Sequence, residues 1–163
     1  MLDVTESTSL SLLLIINGMG IPGRLIPAYL ADRHFGPMNV LIPSALLSGV
    51  LIYVWIAVDS YSGIIAFVVV YGYVAAGVQS LFPATLSSLT TDLNKMGTKV
   101  GMVFTIYGIA TLTGSPLAGA LITGDGGSYL HAYIFCGTVM FVGSFVLIAA
   151  RTARLGRTLI KRV

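Results

Sequence analysis

Charge is scarce in this sequence of 163 residues: only 9% of them are Asp, Glu, Lys or Arg, whereas 56% are hydrophobic. A soluble domain needs about a quarter of its residues charged, because its surface faces water. The mean hydropathy of +0.92 is far above that of such a domain. The composition therefore excludes an ordinary soluble globular protein and indicates a membrane protein.

Cysteine and catalytic motifs are also lacking. The single cysteine, Cys136, excludes an internal disulfide and a cysteine-rich metal centre. The sequence contains no HExxH, no GxSxG and no Walker-type phosphate loop. The sequence therefore predicts no enzyme, no cofactor, no metal and no nucleic-acid partner.

What the chain does contain is a series of long apolar runs. A helix needs about 20 apolar residues to cross ~30 Å of hydrocarbon, and the runs lack the alternation that is typical of barrel strands. We predict an all-α polytopic membrane helix bundle that forms a single transmembrane domain over residues 1–163. Its five transmembrane helices are predicted at residues 9–31, 38–58, 63–86, 100–122 and 129–150.

The basic residues indicate an orientation. Every Lys and Arg except Arg24 falls at the first or third junction or in the tail 151–163. The positive-inside rule then places the N-terminus outside and the C-terminus in the cytosol. The tail either binds anionic lipid headgroups or only fixes this orientation. An odd number of helices after an external N-terminus predicts that further helices precede them.

Arg24 is the one basic residue inside a predicted helix. A charge there costs about 2.5–3.5 kcal/mol on insertion scales. Arg24 either binds an anionic substrate or extends its guanidinium to the cytosolic headgroups. Because Asn17, Gly20, Ile21 and Arg24 follow helical spacing, we predict that they share one face and form the wall of a cavity.

Polar and small residues of the other helices suggest further contacts. Tyr71 and Gln79 in the third helix are candidate cavity residues, although Gln79 could instead link two helices by a hydrogen bond. In the fourth helix, Ala110 and Gly114 belong to a small-xxx-small pattern that predicts a helix-packing seam.

Aromatic residues near the outer helix ends are typical of an interfacial belt rather than of a binding site. These residues are Tyr53, Trp55, Tyr61, Tyr129 and Tyr133.

The segment PAYLADR, residues 27–33, resembles the "G-x-L-A-D-R" cytosolic loop of the major facilitator superfamily, with Ala28 at the position of the motif glycine. The segments NGMGIPGRLIPAYLADRHFG, GVQSLFPATLSSLTTDLNKMGTKVGMVF and GSPLAGALI are similar to fungal monocarboxylate-transporter-like members. The resemblance covers the whole chain. It implies that the chain forms part of the C-terminal half of a major facilitator fold. This part comprises helices eight to twelve of a twelve-helix symporter-like transporter.

The resemblance also implies residue roles. Arg24 matches an intramembrane arginine that binds substrate carboxylate, with Asn17, Tyr71 and Gln79 as wall residues. Asp32 and Arg33 match a brace of the cytosolic gate. The position one turn before Arg24, often aspartate in that family, is Gly20 here.

The implied function is secondary active transport of a small organic anion by alternating access, in the plasma or vacuolar membrane. A missing N-terminal helix bundle would complete the transporter. The alternative is a truncated, non-transporting membrane protein or a membrane interaction module.

Overall fold

The fold consists of five long helices. The computed structural model describes residues 6–58, 60–90, 93–124 and 126–155. The helices are α1 (Glu6–Leu30), α2 (Pro37–Trp55), α3 (Tyr61–Ser88), α4 (Leu93–Gly124) and α5 (Leu130–Leu155). All five are long and apolar enough to cross a membrane, which confirms the predicted all-α fold class. The basic tail beyond residue 155 lies outside the described residues.

The end of α1 differs from the prediction. A π-helical turn, Ala31–Phe35, continues α1 past the predicted end at residue 31. Its wider hydrogen bond runs from the Gly36 amide to the Ala31 carbonyl at 2.8 Å. Gly36 then takes φ 82°, which favours glycine, and Pro37 begins α2. Asp32 and Arg33, predicted to lie in a loop, therefore lie on a helical extension of α1.

Helix α3 is the centre of the packing, since it lies along both α1 and α2, and α2 also packs against α5. Glycines bring the α1 and α3 backbones together. A Cβ atom at Gly77 would lie 3.1 Å from the Gly23 carbonyl oxygen, and one at Gly72 would lie 3.2 Å from the Ile16 carbonyl oxygen. Such close backbone approach replaces the hydrophobic driving force that helices lack in lipid.

The predicted packing seam of α4 is not used within the described chain. No residue of α4 between 94 and 124 is buried, and Ala110 and Gly114 are both exposed. A Cβ atom at Gly114 would meet nothing within 4 Å. Small residues allow another helix to approach but do not supply one, and here α4 makes only sparse contacts with α3 and α5.

Candidate functional site

A polar cavity of about 260 Å³ lies between α1 and α3. The structure brings together at this cavity all four residues that the sequence suggested for substrate binding. Its lining consists of Ile16, Asn17, Gly20, Arg24, Tyr71, Gly72, Ala75, Ala76 and Gln79. The arrangement is a geometric fact, and the role of these side chains in binding stays a prediction.

Helical periodicity explains most of the lining on α1. Asn17, Gly20 and Arg24 are three and seven residues apart and face α3 together. Ile21 was predicted on the same face, but it is 64% exposed and does not line the cavity. Consecutive residues are turned by about 100° around a helix, so the residue after Gly20 points away from α3.

Small residues create the volume of the cavity. Gly20 of α1 faces Gly72, Ala75 and Ala76 of α3, and none of these side chains is larger than a methyl group. A Cβ atom at Gly20 would lie 3.8 Å from the Ala76 Cβ, an ordinary van der Waals contact. The space beside Arg24 therefore results from small side chains rather than from a distorted backbone.

Two hydrogen bonds hold Arg24 against α3. The guanidinium Nη2 donates to the Gln79 Oε1 at 3.3 Å, and the Ser80 hydroxyl donates to the Arg24 carbonyl oxygen at 3.4 Å. Gln79 thus lines the cavity and also links the two helices, so the two roles considered for it coexist. The link fixes the arginine head at the cavity wall.

The cavity has an uncompensated positive charge within the described part of the chain. Its lining contains no acidic residue, and the amide of Gln79 carries no charge. Asp32, the described acid nearest to Arg24 along the chain, lies about 12 Å from it along the helix axis. A guanidinium is always ionised and matches the geometry of a carboxylate. The site is therefore suited to an anion.

Asn17 and Tyr71 line the polar cavity on the N-terminal side of Arg24 and Gln79 along α1 and α3. The Asn17 side-chain amide donates to the Leu13 carbonyl oxygen at 2.8 Å, so one of its polar groups is bound to its own helix. Tyr71 is half-buried and has one face towards the polar cavity.

Asp32 and Arg33 lie in the π-helical turn and are both exposed. Arg33 Nη1 donates to the Tyr29 hydroxyl at 2.6 Å, and its guanidinium lies 5.7 Å from the centre of that ring. These contacts hold Arg33 against the end of α1. A gate role for Asp32 and Arg33 stays a prediction.

A second, aromatic cavity of about 350 Å³ was missed at the sequence level. Trp55 and Tyr133, predicted to belong to an interfacial belt, both line this cavity together with Phe67 and Tyr71, and the belt itself stays a prediction. The spacing of Phe67 and Tyr71 by four residues was an available signal. Its full lining is Ile16, Ile52, Trp55, Phe67, Val68, Tyr71, Tyr133 and Cys136.

The part of the chain that the structure describes contains no candidate set of metal ligands. No group of three His, Cys, Asp or Glu side chains there could hold a metal ion.

Known relatives are fungal transporters. An "MFS-type transporter" of Gibberella zeae is 45% identical over 148 residues, which cover 91% of this chain and 33% of that protein. The "MFS transporter asaE" of Aspergillus flavus is 33% identical over 90% of this chain and 33% of its own length. The "Aspyridones efflux protein apdF" of Emericella nidulans is 33% identical over 89% of this chain and 30% of its own.

The chain spans about a third of the length of these relatives. No solved structure matches it. The sequence profile described as "Major Facilitator Superfamily" matches residues 2–161, nearly the whole chain. With its five apolar helices, the chain is a multi-pass integral membrane protein, and it belongs to the Major Facilitator Superfamily.

Proposed function

We propose that this chain is part of a secondary active transporter that moves an organic anion by alternating access. The observation that carries the proposal is the charge of Arg24, which faces a cavity whose described lining offers no acid. An unpaired guanidinium at membrane depth costs several kcal/mol, roughly 3 on insertion scales. A bound anion offsets that cost, so the site favours an anionic ligand.

Carboxylate is the anion that the site fits best. A guanidinium binds carboxylate through two parallel charge-assisted hydrogen bonds. Its hydrogen bond to Gln79 at 3.3 Å is long enough to be exchanged for a ligand. The likeness to monocarboxylate porters points to the same chemistry, with Asn17 and Tyr71 completing the wall.

The exposed polar face supports a second helix bundle as partner. Asn17, Arg24 and Gln79 are all exposed although they lie inside membrane-spanning helices. Alternating-access transporters place such faces at the interface between two bundles that rock around the substrate. From the sequence resemblance we propose in addition that the chain forms helices eight to twelve, with its C-terminus in the cytosol of a plasma or vacuolar membrane and with Asp32 and Arg33 as gate braces.

The name of one relative is our basis for proposing a direction of transport. The apdF relative is called an efflux protein, and this chain is 33% identical to it. Export of an organic acid made by the cell is accordingly our first choice, and uptake of an external monocarboxylate is the second.

The alternative is a membrane protein that does not transport, and the exposed face of Asn17 and Arg24 would then bind another membrane protein. Sequencing of the transcript distinguishes the two. An in-frame coding region with further apolar helices upstream of Met1 supports the transporter, and its absence supports the alternative.

Transport assays test the proposal itself. Cells that express the complete coding region are loaded with a panel of labelled monocarboxylates, and efflux and uptake are followed with and without a pH gradient. We expect saturable movement of at least one acid above that of cells without the gene. Equal rates in both cell lines for every acid would refute organic-anion transport.

Gly20→Asp is predicted to switch off anion binding at neutral pH. The new carboxylate would lie one helical turn before Arg24 and pair with it, and the site has room for the side chain. We expect affinity for an organic anion to fall at least about tenfold, equivalent to ~1.4 kcal/mol. Binding assays at pH 7, where both the ligand and the new aspartate are ionised, measure the effect.

Gly20→Asn is the matched control for this substitution, because asparagine has the same shape without the charge. Its anion affinity should stay close to that of the unmodified protein. An asparagine variant as weak as the aspartate variant would show that bulk, not charge, matters at this position.

A further inference from the structure

The polar and aromatic cavities share a wall. Ile16 and Tyr71 line both of them, so the aromatic cavity adjoins the cavity that contains Arg24. Ile16 precedes Arg24 by eight residues, or about 12 Å along α1. Phe67 precedes Gln79 by twelve residues, or about 18 Å along α3. The two cavities therefore lie side by side: the polar one lies between α1 and α3, and the aromatic one extends from Ile16 and Tyr71 towards α2 and α5.

Ring geometry makes the aromatic cavity a binding surface for flat apolar groups. The Trp55 and Phe67 ring centroids lie 4.4 Å apart, and Phe67 stacks on Tyr71 at 5.3 Å with an angle of 13°. Tyr133 of α5 meets Trp55 edge to face at 6.3 Å. Offset and edge-to-face contacts of this kind are the preferred arrangements of aromatic rings, and a flat apolar ligand could make the same contacts with this wall.

The volumes of the two cavities indicate which part of a ligand each could hold. The polar cavity, at about 260 Å³, is smaller than a drug-sized pocket of roughly 300–1,000 Å³. It has room for a carboxylate and the atoms next to it. The aromatic cavity adds about 350 Å³, and no charged residue is found in its described lining.

We propose that the aromatic cavity binds the apolar body of the transported acid while Arg24 holds its carboxylate. The substrate is then an elongated amphipathic acid with an aryl or branched apolar end about 12–18 Å from the carboxylate. This inference rests on the proposed function, since it takes Arg24 as the anion site. It names the substrate class, which the polar cavity alone leaves open.

Trp55 provides the measurement. It is the only tryptophan of the sequence, so the intrinsic tryptophan fluorescence comes from this cavity. Bromine quenches tryptophan on contact, and p-bromophenylhexanoate carries bromine at the end opposite its carboxylate. With the full chain in lipid nanodiscs, we expect saturable quenching by this acid. The neutral p-bromophenylhexanol should quench much less at equal concentration.

Two matched variants distinguish the loss of a ring inside the aromatic cavity from the loss of a ring elsewhere in the protein. Phe67→Ala should raise the Kd of p-bromophenylhexanoate about tenfold, since one stacked ring is lost. Phe145→Ala removes a ring of α5 that is 63% exposed and lies outside the cavity, and it should leave the Kd unchanged. Calorimetry with butanoate, which is too short to reach the rings, should give the same Kd in both variants.

Butanoate binding also distinguishes a failure of the aromatic-site proposal from a failure of the anion-site proposal. If butanoate binding requires Arg24 but Phe67→Ala leaves the bromophenyl acid unaffected, the aromatic site is refuted and the anion site stands. If Arg24→Gln changes the binding of neither acid, the anion site itself is refuted. Quenching that never saturates and is equal in all variants would assign the cavity to lipid chains. If Phe67→Ala also loses butanoate binding, the variant is misfolded, and Phe67→Leu, which keeps most of the side-chain volume, takes its place in the same comparison.

Discussion

Arg24→Ala is expected to abolish transport of an organic anion, whereas Arg24→Lys should retain part of it. Alanine removes the one charged side chain in the described lining of the polar cavity. Each hydrogen bond to a charged group contributes about 1.5–3 kcal/mol, so loss of a bidentate pair lowers affinity by a hundredfold or more. Lysine keeps the charge but not the planar fork. Initial rates of labelled acid movement in cells that express the complete gene measure the effect.

Lys99→Ala is the control for charge alone. Lys99 is an exposed residue of α4 and does not line the cavity, yet its replacement removes the same positive charge. Transport should be unchanged in this variant, and all three variants should reach the membrane in equal amounts. Normal transport by Arg24→Ala at normal expression would show that the anion binds elsewhere.

Gly23→Ala is expected to destabilise the pairing of α1 with α3. A Cβ atom at Gly23 would overlap the carbonyl oxygen of Tyr73 and lie 2.9 Å from its Cα. These are backbone atoms of a neighbouring helix, so relief requires the helices to separate. Overpacking of this kind costs about 1–3 kcal/mol. Thermal unfolding of the chain in nanodiscs, followed by helical circular dichroism, should show a lower midpoint.

Gly20→Ala is the matched control, since it makes the same change three residues earlier on the same helix. Its Cβ would meet only the Ala76 Cβ, at 3.8 Å. Both variants gain the helix propensity of alanine over glycine, about 1 kcal/mol, so their difference isolates the steric effect. A Gly23→Ala protein as stable as the Gly20→Ala protein would rule out close backbone packing at this crossing.

The helices and the polar site were predictable for different reasons. Apolar runs are a local signal, so the sequence alone indicated five membrane helices. Arg24 stood out because charge inside such a run is rare, and the helical spacing then led to Asn17. The same spacing also pointed to Ile21, wrongly, because periodicity gives neighbouring positions on a face but not the direction in which the partner helix lies.

The remaining features depend on tertiary packing. Trp55, Phe67 and Tyr133 belong to three different helices, and no spacing within one helix brings their rings together. The small residues around Gly114 permit a helix contact without choosing a partner. The π-helical turn after Leu30 ends at Gly36, whose φ of 82° favours glycine, and the apolar pattern of α1 does not indicate this change of helix type.

Chemical restoration of the charge at position 24 is the most direct measurement of whether Arg24 binds the anion. Cys136 is the only cysteine, so Arg24→Cys can be made in a Cys136→Ser background and compared with that background alone. The Arg24→Cys protein should bind no organic anion. Aminoethyl methanethiosulfonate, which attaches an ammonium group, should restore binding, and the uncharged methyl reagent should not. Undiminished binding before modification, or no recovery after complete modification with the ammonium reagent, would refute Arg24 as the anion-binding group.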